Sequence, residues 1–120
     1  MQIINNEMVW CFDVDGTLVE WNDATGEGFT INDPIDKTNL LVARTNKNNV
    51  RLLKEKKHRG CTIIVWSQGG YKHAAEVVTA LQLTEYVDFC MTKPLGIVDD
   101  LDPQEWLPKR TFIPINVHYK

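Results

Sequence analysis

Met8-Val9-Trp10-Cys11-Phe12-Asp13-Val14-Asp15-Gly16-Thr17-Leu18 is the stretch on which the reading of this chain turns. Residues 8 to 14 are nearly all apolar, with β-branched and aromatic side chains, and a short run of that kind suits a strand buried on both faces of a parallel sheet. The run ends on acid. Asp13 and Asp15 stand at its C-terminal end, and Gly16 permits the backbone to turn sharply away.

Working downstream, residues 18 to 45 mix polar and apolar positions, with Gly26, Gly28, Asn32, Asp33 and Pro34 as turn signals between strands expected at Phe29-Thr30-Ile31 and Leu40 to Ala43. We read this interval as a small β flap. From Asn46 to Arg59, Val50, Leu52 and Leu53 are set against Lys54, Lys56 and Lys57, a spacing that predicts an amphipathic helix ended by Gly60. Cys61-Thr62-Ile63-Ile64-Val65-Trp66 is the strongest strand signal, and Ser67-Gln68-Gly69-Gly70 breaks it before a helix expected from Tyr71 to Leu83. Val87 to Met91 predicts a third strand and Gly96-Ile97-Val98 a short fourth. Phe112 to Val117 predicts a fifth at a sheet edge, where Pro114 is tolerated. Asp102-Pro103-Gln104-Glu105 carries the cap, first-turn proline and N3 glutamate of a short helix start. This alternation predicts an α/β fold: a Rossmann-like, doubly wound parallel sheet of about five strands in the order 3-2-1-4-5, forming one domain over residues 1 to 120.

Composition narrows the function classes. With 120 residues, 43% of them hydrophobic, the chain can bury one core of ordinary size. A net charge of -3 and a pI near 5.5 exclude a protein whose main work is coating nucleic acid, while leaving nucleic acid ends open as substrates. Cys11, Cys61 and Cys90 are odd in number, far apart and set in apolar runs, so they read as reduced core thiols. No apolar run approaches the roughly 20 residues needed to span a bilayer, and residues 1 to 7 lack a signal pattern, so a cytoplasmic protein without a membrane partner is expected. No feature of the sequence indicates an oligomer.

In an open α/β sheet, ligands bind outside the carboxyl ends of the strands. Four expected strands end on polar residues there: Asp13 and Asp15 after the first, Ser67 after the second, Lys93 after the third, and Asp99 with Asp100 after the fourth. Four carboxylates brought to one partly buried edge repel unless a cation joins them, which implies a divalent metal. Oxygen donors without histidine or thiolate favour a hard ion, and magnesium, which also contacts phosphate oxygens, fits best. A lysine and a serine hydroxyl beside it suit a phosphoryl group, whose transfer depends on positioning and charge neutralisation.

Asp13-Val14-Asp15-Gly16-Thr17-Leu18 resembles the first motif of the haloacid dehalogenase (HAD) superfamily, Ser67 its second, Lys93 its third and Asp99-Asp100 its fourth, in the order that superfamily requires. The resemblance covers residues 8 to 100. It implies that Asp13 attacks phosphorus to form an aspartyl-phosphate and that Asp15 protonates the leaving oxygen and later deprotonates water. It implies further that Mg2+ is held by Asp13, the Asp15 carbonyl and Asp99 with Asp100 in support. Gly16, Thr17, Ser67, Gln68 and Lys93 would surround the phosphate. Asp15 at its position also points to phosphatases or phosphotransferases rather than dehalogenases.

Two departures from larger members bear on substrate. Only six positions separate Lys93 from Asp99, too few for a helix between the third and fourth motifs, a spacing similar to that of small phage and bacterial HAD proteins. The interval from Leu18 to Gly60 must also contain a helix and has no room for a full cap domain, so the protein reads as capless. An open site suits a bulky phosphorylated substrate such as a nucleotide or nucleic acid end, or a phosphoprotein, unless the flap or a second subunit covers it. A non-catalytic phosphate- or metal-binding module and a phosphotransferase are the alternatives. Outside the motifs, Lys54 to Arg59 reads as a solvated helix C-terminus rather than a nucleic acid patch, and Trp10 and Trp66 as core. Trp21 and His73 are secondary candidates for substrate contact.

Overall fold

A computed structural model describes residues 9–21, 29–32, 35, 40–102 and 105. Their elements run β1 (Val9–Asp13), β2 (Val19–Trp21), β3 (Phe29–Asn32), β4 (Leu40–Thr45), α1 (Lys47–His58), β5 (Thr62–Ser67), α2 (Tyr71–Ala80) and β6 (Phe89–Thr92). The α/β class is as expected, with strands β1, β5 and β6 pairing in parallel in that spatial order and β2-β4-β3 forming a separate antiparallel sheet. The latter is the flap. It has gained β2, an unforeseen strand paired with β4, and between β1 and α1 the described residues form strands and no helix.

The parallel sheet corresponds to the 3-2-1 half of the expected order and goes no further among the described residues. Gly96-Ile97-Val98 is not a strand: residues 94 to 102 are exposed, and Val98 and Leu95 bury nothing. Three residues, one of them a glycine, flanked by Pro94 and Leu95 on one side and two aspartates on the other supply too little β preference to hold without a neighbour on the sheet. The segment Phe112 to Val117 lies outside the described residues, as does most of the helix expected after Asp102, whose carbonyl accepts the Glu105 N–H at 2.8 Å.

Burial alternates along β5, where Ile63, Val65 and Ser67 are buried and Thr62, Ile64 and Trp66 are not. The register places Phe12 beside Val65 and Cys90, so one face of the sheet carries Phe12, Val65 and Cys90 against the core that also takes Leu53 of α1 and Ala74, Val77 and Val78 of α2. The Lys56 ammonium sits 4.3 Å from the Trp10 ring centroid, which seats α1 on this same face. Both crossovers step in one direction along the sheet, and right-handed crossovers of that kind put their helices on one side. The other face is therefore left without a helix among the described residues: Val9 is 59% exposed and Phe89 62%, and Cys11 is exposed with them. This corrects two expectations, that β1 is buried on both faces and that Cys11 is a core thiol; Cys61 is buried as expected, and all three cysteines are free.

Local signals mark the helix ends well. The Asn46 side chain caps α1 by accepting the Asn49 N–H at 3.1 Å, and Lys56, Lys57 and His58 lie in its last turn, where positive charge complements the dipole. The basic run is engaged rather than presented as a patch. Lys57 pairs with Asp88 at 2.8 Å and Lys54 lies over Tyr86. The antiparallel sheet joins the same core through Val19, Ile31 and Ala43, with β3 in contact with α2. No helix of the described residues is long and apolar enough to cross a membrane.

Candidate active site at the carboxyl edge of the sheet

β1 ends at Asp13, and the chain turns at once. The Val14 carbonyl accepts N–H groups from Thr17 (3.1 Å), Leu18 (2.9 Å) and Val19 (3.2 Å), while Gly16 donates to the Val19 carbonyl at 2.8 Å. Gly16 has φ of 77°, a conformation that side chains with a Cβ rarely adopt, so the glycine is what lets Asp13 and Asp15 share one edge of the sheet. The Asn49 side chain donates to the Thr17 carbonyl at 2.9 Å and the Asn46 N–H to the Leu18 carbonyl at 2.8 Å, which anchors the turn to the start of α1.

β5 delivers Ser67, fully buried, to the same edge. Its hydroxyl accepts the Gly69 N–H at 3.0 Å and approaches Asp15 Oδ2 at 3.4 Å, and its carbonyl accepts the N–H groups of Gly70 and Lys93. The second of those bonds, at 2.9 Å, brings Lys93 from the end of β6 to the site. α2 starts here as well, with Gly70 as an N-cap that offers no side-chain hydrogen bond and has φ of 104°. Gln68 is exposed beside it.

The two carboxylates differ in environment. Burial pushes the Asp13 carboxyl above its ordinary range and the nearby Asp15 charge adds to that, against the opposing pull of Lys93 and of the Val14 N–H. Burial also pushes Asp15 upward, but hydrogen bonds from His73, Trp21 and Ser67 outweigh it and hold the carboxyl below its usual value. Asp15 Oδ1 takes the Trp21 indole N–H at 2.7 Å and faces His73 Nε2 at 3.2 Å. The Trp21 and His73 rings are stacked with centroids 6.0 Å apart.

Of the residues singled out from the sequence, Asp13, Asp15, Gly16, Thr17, Ser67 and Lys93 thus meet at one edge. Asp99 and Asp100 do not join them. Both are exposed, and Asp99 Oδ1 accepts the Leu101 N–H at 3.1 Å, in a bond that holds its carboxyl below the usual range. Among the described residues no group of three or more His, Cys, Asp or Glu side chains is placed to hold a metal ion. The donors that are gathered are oxygens, and an Asp13 carboxylate raised by burial beside a second acid is in the condition that a hard cation relieves, so Asp13 with the Asp15 main chain suits magnesium in part.

His73 and Trp21 are where sequence reasoning fell short. Named from the sequence only as secondary candidates for substrate contact, they grip Asp15, His73 from within the core with 2% of its side chain exposed. The pairing of Asp15 with His73 spans 58 residues and crosses from the β1 turn to α2, so no periodicity within one element could have shown it. No protein-family model matches the chain, and comparison with curated proteins and with solved structures gives no match either.

Proposed function

We propose that the chain is a magnesium-dependent phosphomonoester hydrolase, a small capless member of the HAD superfamily, in which Asp13 is the nucleophile and Asp15 the proton carrier. The observation that carries the reading is the meeting of Asp13 and Asp15 at the carboxyl edge of a parallel sheet, with the Ser67 hydroxyl reaching Asp15 and Lys93 tied by its N–H to the Ser67 carbonyl. Asp13 would attack phosphorus and expel the alcohol, and water would then release phosphate from the aspartyl-phosphate, restoring the carboxylate. Asp15 would give its proton to the departing oxygen and take one back from that water. Lys93, Ser67, Gln68 and the Thr17 hydroxyl would neutralise and orient the phosphoryl oxygens, while the Gly16 and Thr17 N–H groups already donate to the Val19 and Val14 carbonyls and shape the turn.

Magnesium would be held by Asp13 and the Asp15 main chain; Asp99 and Asp100, which the family resemblance would add, stand exposed and outside that set among the described residues. When bound, it would neutralise charge on the transferring group. The absence of a helical cap among the described residues supports a bulky phosphorylated substrate such as a nucleotide or nucleic acid terminal phosphate, in a cytoplasmic setting that suits three free thiols. The exposed placement of Asp99 and Asp100, which leaves the metal set incomplete, favours a second reading without turnover, in which the site binds phosphate through Lys93 and Ser67. Phosphate release from 4-nitrophenyl phosphate, with and without EDTA and with Asp13→Asn alongside, decides between them. Release abolished by both treatments is the expected result, and no release by the wild type from this ester or a panel of nucleotides and 5′-phosphorylated oligonucleotides would overturn the phosphatase reading in favour of the binding module.

A further inference from the structure

We propose that His73 and Trp21 are positioning residues that lock Asp15 through Oδ1, so that Oδ2 is the oxygen that exchanges the proton with substrate. The inference rests on the phosphatase reading above and goes beyond it in assigning two residues and one atom.

A carboxylate oxygen offers two lone pairs and no donor. Oδ1 uses both, one for the Trp21 Nε1–H at 2.7 Å and one for His73 Nε2 at 3.2 Å, where the histidine must be the donor because its partner only accepts. Oδ2 meets only the Ser67 hydroxyl, at the long distance of 3.4 Å, among the described residues. One oxygen is therefore spoken for and the other has capacity left. In the first step Oδ2, having taken up a proton from solvent, would pass it to the leaving oxygen as the bond from that oxygen to phosphorus breaks and the bond from Asp13 to phosphorus forms. In the second, Oδ2 would take a proton from water as the new oxygen–phosphorus bond replaces the one to Asp13.

The clamp is built rather than incidental. His73 is buried, and its Nδ1 is a buried atom without a hydrogen-bond partner among the described residues. A buried ring that leaves one nitrogen unsatisfied costs stability, and its one polar contact is to Asp15. Trp21 reaches the same oxygen from β2 and stacks on the His73 ring, so flap and α2 converge on one atom. Of the two, Trp21 is the part that the flap contributes to the site.

The test compares kcat/KM, which covers steps through departure of the leaving group, on 4-nitrophenyl phosphate and on 2-phenylethyl phosphate. A nitrophenolate leaves without a proton, whereas an alkoxide does not. Trp21→Phe and His73→Leu are expected to lower kcat/KM on the alkyl ester by about tenfold or more while changing the aryl ester less than about threefold, and His73→Gln, which keeps a donor, to recover most of the loss. Trp21→Phe leaves His73 in place and reports even if His73→Leu fails to fold. Parallel losses on both esters in a folded variant would overturn the positioning role and leave the phosphatase reading standing. A wild type inactive on both would overturn that reading and this one with it.

Discussion

Asp88 and Asp13 occupy opposite edges of one parallel sheet, and the surroundings of the two carboxylates differ in kind. At the amino edge, Asp88 Oδ2 accepts the Ile63 N–H at 2.8 Å, its own N–H returns a bond to the Ile63 carbonyl at 2.9 Å, and the Lys57 ammonium holds both oxygens at 2.8 and 2.9 Å. Those bonds, led by the one from Lys57, hold its carboxyl below the ordinary range and lock β6 and the end of α1 to β5. At the carboxyl edge, burial lifts the Asp13 carboxyl, and Lys93 answers it only in part. A carboxylate that serves the fold is satisfied within it; one held half-buried with its charge under-compensated costs stability and is suited to a ligand that brings positive charge or phosphorus.

The sharpest way to break this contrast is to remove each acid in turn. Asp13→Asn is expected to cut phosphate release by about a thousandfold or more while leaving the thermal midpoint unchanged or raised, measured on the same preparation. Asp15→Asn should follow, with a loss of about a hundredfold on the alkyl ester and far less on the nitrophenyl ester. Asp88→Ala is expected to do the reverse, lowering stability by about 1 kcal/mol in urea unfolding while phosphate release stays within about twofold of wild type, because the lost bonds are partly solvent-exposed and remote from the site.

The smallest effect, and the most telling in sign, is pH dependence measured in EDTA. A depressed folded-state value means that Asp88 contributes stability above the ordinary carboxylate range, lost as pH falls through the folded value. The destabilisation caused by Asp88→Asn should therefore shrink on acidification from pH ~7 to pH ~3, across the carboxylate range. Asp13 has a raised folded value, so its charge opposes folding above that range and the opposition vanishes in acid. Asp13→Asn should accordingly stabilise at neutral pH and become neutral at low pH, and matching pH trends for the two variants would dissolve the distinction.

Most of the elements, β2 excepted, were legible because each is set by local chemistry. The apolar run before Asp13 reads as β1, Asn46 and Gly60 bracket α1, and Gly69-Gly70 separates β5 from α2. The gathering of Asp13, Asp15, Ser67 and Lys93 was legible too, since polar residues that follow parallel strands must emerge at one edge. Gly96-Ile97-Val98 misled because three apolar residues carry no information about whether a strand lies beside them, and the same gap placed Asp99 and Asp100 at an edge that the described structure does not give them.

By itself, then, the sequence determined the kinds of elements, their order, and the chemistry at the ends of β1, β5 and β6, because dihedral preferences, caps and polar punctuation act over a few residues. Only the tertiary structure decided that both helices cover one face of the sheet, leaving Cys11 and Phe89 on the other, and that Trp21 and His73 close on Asp15. Those outcomes depend on crossover handedness and on contacts between segments dozens of residues apart, and neither is written in any local stretch of the chain.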